Sequence, residues 1–221
     1  MEIKTSKQLR VNIGCGMTPT VGFENFDNSF SLKLSRYPLI STFLYKLKII
    51  STRQMEYVRF CQTNNIKFAD AKAHIPLPDE SVSILYSSHM LEHLDRLEAG
   101  LFLMEVKRVL RSGGAIRLVL PDLSKAIARY NQKQDADAFL ESTSMCISNP
   151  RGFLQRFRMA LIGNRHHLWM YDSKSLRKLL EKNGFKKIEL LASGETTLSE
   201  YGSLDLKERA EESLYIEAVK V

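Results

Sequence analysis

Cysteine is scarce in this chain: three residues, Cys15, Cys61 and Cys146, among 221. They are too few and too scattered for a disulfide framework or a Cys-x-x-Cys metal site, and their usage fits a reducing cytoplasm. Long apolar runs are also missing. The most lipophilic segment, Tyr37 to Ile50, is broken by Lys46 and Lys48 and is shorter than the roughly 20 residues a membrane span requires. The first residues, MEIKTSKQLRVNIGCG, run directly into a strand without a signal-peptide core. No internal repeat and no stretch of disordered composition is present. These absences predict a soluble, cytoplasmic protein.

What is present suits one α/β domain. Hydrophobic residues make up 44% and charged residues 26%, enough to bury a full core. The net charge of +7 favours anionic partners: phosphorylated small molecules, acidic headgroups or nucleic acid. Strands are predicted at Leu9–Ile13, Gly22–Phe26, Ile66–Ala69, Val82–Tyr86 (the central strand), Ala115–Leu120, Ile188–Leu191 and Leu214–Val219. Helices are predicted at Glu98–Leu110 (stopped by a left-handed glycine cap within Arg111–Gly114), at Ser124–Tyr130 and at Ser173–Asn183, with Asp172 or Ser173 as its N-cap. The alternation argues for a mostly parallel sheet covered on both faces. Two basic insertions interrupt it, at about 29–62 and 131–165, the second containing a predicted amphipathic helix at Arg151–Ile162. Lids with charged rims, docks for an anionic partner, membrane-surface patches and plain solvated helices all fit them; the lid is favoured.

Four features follow successive strands: the turn Gly14-Cys15-Gly16, then Asp27, then Asp70, then the polar run Ser87-Ser88-His89. In an open parallel sheet ligands bind beyond the carboxyl ends of the strands, so all four should line one crevice. Glycine lets backbone approach a ligand. A carboxylate at Asp27 can accept from both hydroxyls of a ribose, and Asp70 with the Ala71 amide can pair with an adenine edge. A nicotinamide-dinucleotide site fits less well, because the third glycine is missing and the acid comes too soon.

The strings VNIGCG, FENFD, FADA, IPLPDESVSILYSSHMLEHL and KRVLRSGGAIRLVLPD resemble the class I S-adenosylmethionine-dependent methyltransferases, in particular small bacterial members of the ubiquinone-biosynthesis type and ones associated with polysaccharide synthesis. The resemblance runs from residue 9 to about 122, with HHLWMYDSKSLRKLLEKNGF and ESLYIEAVKV near the end. It implies a Rossmann-like, seven-stranded, mostly parallel sheet with an antiparallel last strand and helices on both faces. It also implies S-adenosylmethionine as cofactor, with Asn12, Gly14, Cys15 and Gly16 at its amino-acid portion. Asp27 would meet the ribose, Asp70 and Ala71 the adenine, and Ser88 and His89 the sulfonium. Three departures stand out: Asn12 replaces the usual acid, Thr18 replaces a third glycine, and only six residues separate Gly16 from Phe23, short for a parallel crossover.

The expected reaction is methyl transfer to a hydroxyl of a sugar or nucleotide-sugar. His89 or His166 would be general base, Asp122 would orient the acceptor or simply cap the following helix, and His167 and Tyr171 would contact substrate. Trp169 reads as core. His89-Met90-Leu91-Glu92-His93 matches the H-x-x-E-H zinc pattern, but it directly follows a strand and no third ligand is evident, so no metal is expected and Glu92 and His93 read as packing and capping residues. Two rivals remain, a methyltransferase-like binding subunit without turnover and an RNA methyltransferase. Nucleic acid is disfavoured because no Asn/Asp-Pro-Pro-aromatic string follows the fourth strand. Peripheral membrane contact through the basic insertions stays open.

Overall fold

The computed structural model describes residues 8–146 and 166–221. Seven strands form one sheet: β1 (Leu9–Ile13), β2 (Glu24–Asp27), β3 (Ile66–Phe68), β4 (Val82–Ser88), β5 (Leu110–Pro121), β6 (Phe185–Leu191) and β7 (Ser213–Lys220), in the order β3-β2-β1-β4-β5-β7-β6. All neighbours pair in parallel except those of β7, which runs antiparallel to both β5 and β6. From β1 the chain winds outward through β2 and β3, then returns to build β4 and β5 on the other side. The β1/β4 boundary is therefore the switch point where such sheets open a crevice.

The short first crossover is made without a helix. Residues 14–23 form a series of turns, pinned by a buried amide pair in which Asn12 Nδ2 donates to Asn25 Oδ1 (3.2 Å) and Thr20 Oγ1 (3.1 Å), while the Thr20 amide donates to Asn25 Oδ1 at 2.8 Å. The helices come one connection later. Between β2 and β3 lie α1 (Phe30–Ser35), α2 (Pro38–Lys46) and α3 (Thr52–Thr63), the last opened by a Ser51/Gln54 capping box.

The helix α4 (Arg96–Val109) starts at an Asp95/Glu98 capping box. The expected glycine cap at its end is corrected: Leu110 is already extended, and Gly113 (φ +72°) and Gly114 lie inside β5, at a bulge where the register jumps from Val82↔Leu110 to Ile84↔Ala115. A Cβ on Gly114 would meet two carbonyl oxygens, Arg111 O at 2.9 Å and Val82 O at 3.1 Å. The bulge, not the helix, requires glycine there. After β5 come α5 (Leu123–Lys133) and α6 (Ala136–Thr143), then α7 (Ser173–Lys182), capped by Asp172 and followed by Gly184 at φ +80°. The helix expected at Arg151–Ile162 falls outside the described residues.

One sheet face packs Val11, Ile13, Leu85, Ile116 and Leu118 against Phe102, Leu103 and Val106 of α4 and Leu176, Leu179 and Leu180 of α7. This apolar layer is the main stabilising mass of the fold. On the other face, Ile84, Tyr86, Val119 and Tyr215 meet Leu198 and Leu204 of the β6–β7 connection. A third cluster ties Cys15 and Ile66 to Leu32 of α1 and Tyr57 and Cys61 of α3, and so fastens the inserted helices to the first turn.

Candidate active site

The predicted crevice residues sit on adjacent strand ends. The amides of Gly14 and Cys15 both donate to Phe26 O, at 2.8 and 3.1 Å. The chain then turns, with Gly14 at φ +74° and Gly16 at φ +50°, a backbone region that penalises any side chain. The Gly16 amide donates to Asp27 Oδ2 at 3.1 Å and the Ser29 amide to Oδ1 at 2.8 Å. The Ala69 amide donates to Asp27 O at 3.1 Å, which brings the β3 end beside β2. Ser87 Oγ donates to Ile13 O at 3.0 Å, which closes β4 onto β1. Across the sheet, Asp70, Asp27, the turn and Ser88 thus stand at the ends of β3, β2, β1 and β4 in that order.

The two glycines differ in purpose. A Cβ on Gly14 would lie 2.8 Å from Met90 Cγ, so that space belongs to the protein's own side chain, whereas the space beside Gly16 is open. The Cys15 side chain faces the α1–α3 cluster, and burial, reinforced by Asp27 and Cys61, raises its thiol pKa to about 12. Only its backbone can meet a ligand. Asn12 spends its amide on Thr18, Thr20 and Asn25, and so holds the turn from behind. Asp70 is different. Its Oδ1 is buried and accepts no hydrogen bond, while its backbone carbonyl is occupied by Ala73 and His74 amides. A buried carboxylate oxygen without a donor is costly, and an amino group entering the crevice would satisfy it. Ala71 is buried beside it.

At the β4 end several expectations change. His89 has φ +48° and a nearly buried ring held between two partners: Arg209 Nη1 lies 3.2 Å from Nδ1 and Ser213 Oγ 3.1 Å from Nε2. Guanidinium can only donate, so Nδ1 must accept and Nε2 carries the hydrogen. With its lone pair engaged, His89 is a positioning residue and not a general base in this arrangement. Asp122 caps α5 through Ser124 N at 2.8 Å, so its carboxylate serves the helix and not an acceptor. Tyr171 is fully buried in the main core, bridged by backbone to Asp122, and cannot form a pocket wall or contact substrate. Trp169, expected in the core, is exposed, with the Arg96 guanidinium over its ring at 5.1 Å. His166 is partly exposed and its carbonyl lies 3.1 Å from His93 Nδ1. His167 faces Glu92, its Nε2 3.8 Å from Oε1, and burial lowers its pKa.

Glu92 was undervalued in the sequence. It sits on a 3-10 turn, Leu91–His93, with 1% of its surface exposed, and neither carboxylate oxygen receives a hydrogen bond. It caps nothing, since Asp95 performs that role for α4. Arg209 and Ser213 were missed because they arrive from the far end of the chain, with no local motif to mark them.

A comparison with curated proteins gives no match. Residues 49–118 match the family model described as a methyltransferase domain. The match covers 70 of the 221 residues, from just before α3 into β5. Solved structures share the fold across nearly the whole length of this chain. They include S-adenosylmethionine-dependent methyltransferases from Methanosarcina mazei (15% identity, 98% of this chain and 94% of that one, TM-score 0.53) and Archaeoglobus fulgidus (16% identity, 96% and 86%, TM-score 0.52). A third, from Thermotoga maritima, has 16% identity over 98% and 83% of the chains with a TM-score of 0.51. At these identities the likeness is one of fold. No helix among the described residues is long and apolar enough to cross a membrane.

Proposed function

We propose that the ends of β1–β4 hold S-adenosylmethionine, the cofactor of this domain type, and that the chain transfers its methyl group to a hydroxyl of a sugar or nucleotide-sugar. The observation that carries the cofactor assignment is the buried, donor-free Oδ1 of Asp70 in line with Asp27 and an unobstructed Gly16. An adenine amino group supplies the donor Asp70 lacks. Asp27 uses one lone pair of each oxygen on backbone amides and keeps others for the two ribose hydroxyls. The Cys15 and Gly16 backbone would face the amino-acid portion.

The bound sulfonium supplies an activated methyl group and a good leaving group. The protein's part is alignment, bringing the acceptor oxygen to about 3–3.5 Å from the methyl carbon along the sulfur axis. His89, fixed by Arg209 and Ser213, shapes the wall at the β4 end, and His166 is the remaining base for the acceptor proton. The net charge of +7 supports an anionic acceptor such as a nucleotide-sugar. Its link to polysaccharide synthesis rests on the sequence resemblance.

Calorimetry with S-adenosylhomocysteine tests the reading. The full chain should bind one equivalent, and Asp70→Ala should weaken it about tenfold, as expected for one charge-assisted hydrogen bond of about 1.5 kcal/mol. Absence of binding by the folded wild-type chain would leave the rival reading, a methyltransferase-like subunit without turnover.

The inserted α2 supports peripheral membrane contact. Leu39 (87% exposed), Phe43 (60%), Ile40 and Leu47 face outward, rimmed by exposed Arg36, Lys46 and Lys48. A basic rim around an apolar face suits an anionic lipid surface. The chain should float with phosphatidylserine vesicles and not with phosphatidylcholine alone. The double change Leu39→Glu, Phe43→Glu should reduce that binding at least about tenfold, from the lost burial of two large side chains. Equal flotation of wild type and variant would refute the contact.

A further inference from the structure

We propose that Glu92, His93 and His167 form a binding site for a divalent transition-metal ion of the zinc class, beside the β4 end and behind the wall that His89 forms. Each of the three offers one ligand atom, and these atoms lie within 4.8 Å of one another. Tetrahedral zinc with bonds of about 2.0–2.1 Å spaces its ligand atoms about 3.3 Å apart, so modest side-chain adjustment closes the set around an ion.

The independent observation is the unpartnered state of Glu92. Its carboxylate is 1% exposed and accepts no hydrogen bond. The closest ring nitrogen, His89 Nδ1 at 3.5 Å from Oε1, presents a lone pair, because Arg209 already donates to it. The protein therefore buries a carboxylate and gives neither of its oxygens a hydrogen bond. A cation resolves this cost.

The two imidazoles are prepared for the same ion. His93 Nδ1 reaches the His166 carbonyl at 3.1 Å, the outer hydrogen bond that orients a metal-binding histidine and leaves Nε2 free to coordinate. The segment bearing His167 is clamped by backbone: the amides of Leu168 and Trp169 donate to Glu92 O at 2.7 and 3.1 Å, and the His167 amide to Ser144 O at 3.0 Å. His167 Nε2 then lies 3.8 Å from Glu92 Oε1. Two imidazoles and one carboxylate select zinc, cobalt, nickel or iron over magnesium or calcium, and three protein ligands leave a coordination position open. The H-x-x-E-H string thus contributes its last two members, and the third ligand comes from 74 residues after His93.

The test uses the full chain stripped with a chelator and titrated with Zn²⁺ alone against a chromophoric competitor. One equivalent should bind, and cobalt should give the visible bands of a nitrogen–oxygen site without a thiolate charge-transfer band. Glu92→Gln, which keeps shape, and His167→Ala should each weaken Zn²⁺ at least tenfold while circular dichroism shows a folded chain. A folded wild type that takes up no Zn²⁺ at about 100 μM (a cut-off near 5.5 kcal/mol), unchanged affinity in both variants, or a thiolate band would each overturn the site. S-adenosylhomocysteine binding measured on the same stripped sample separates this outcome from the fate of the cofactor assignment.

Discussion

Replacing Asp27 with alanine is expected to weaken S-adenosylhomocysteine binding about 100-fold. Two charge-assisted hydrogen bonds to ribose would be lost, each contributing roughly 1.5 kcal/mol or more. The same change frees the Gly16 and Ser29 amides, which Asp27 now holds at 3.1 and 2.8 Å, so the turn loosens as well. Asp27→Asn retains one acceptor oxygen and should fall between wild type and alanine. Calorimetry gives the affinities, and a thermal melt without ligand separates binding from folding. A loss below threefold in the alanine variant would mean that Asp27 only braces the turn.

The second large effect concerns stability. Arg117 on β5 and Glu217 on β7 form an ion pair of 2.6 Å in the antiparallel β5–β7 register, 0% and 2% exposed. The carboxylate also accepts from Thr196 Oγ1 (2.6 Å), Thr197 N (2.7 Å) and Thr197 Oγ1 (2.5 Å). Removing one partner of such a pair strands the other charge, so Glu217→Ala should cost about 3–5 kcal/mol. For a domain of this size that lowers Tm by roughly 10 °C. Replacing both residues with apolar ones should recover much of the loss, because the cost lies in the orphaned charge and not in the missing attraction.

The pair also makes stability depend on acid. Burial pushes the Glu217 pKa up, but the bonds from Thr196, Thr197 and Arg117 outweigh it and hold the carboxyl below its ordinary value. A folded-state pKa below the unfolded one gives stability that is full above the unfolded value and is lost as pH falls through the folded one. Wild type should therefore lose more stability than Glu217→Gln as pH drops from about 5 toward 3. Denaturant midpoints at each pH measure this. A Glu217→Ala loss under 1 kcal/mol, or parallel acid profiles, would contradict the assignment.

Much of the fold was legible because it is written locally. Leu9–Ile13, Val82–Ser88 and Ala115–Leu120 are dense in Val, Ile and Leu, as strands buried on both faces must be. Asp95 and Asp172 mark helix starts by capping chemistry that needs only neighbours in sequence. The four strand-end features were readable for the same reason, since each lies at the end of its own strand.

The departures arose where distant segments meet. Gly114 looked like a helix stop until β4 was laid beside it and its missing side chain proved to be room for Val82 O. Tyr171 and Trp169, two residues apart, exchanged their expected places because the backbone bridge to Asp122 draws one inward. His89 ceased to be a base because Arg209, 120 positions later, donates to it.

The amino-acid order by itself determined the strand–helix alternation, the capped helix starts and the alignment of the turn with Asp27 and Asp70, since these depend on residue type and near spacing. Only tertiary structure decided which titratable groups are paired, which are left without partners, and how Glu92, His93 and His167 come together. Protonation and coordination are set by what lies within a few ångströms, and in a crossed parallel sheet those neighbours come from the far ends of the chain.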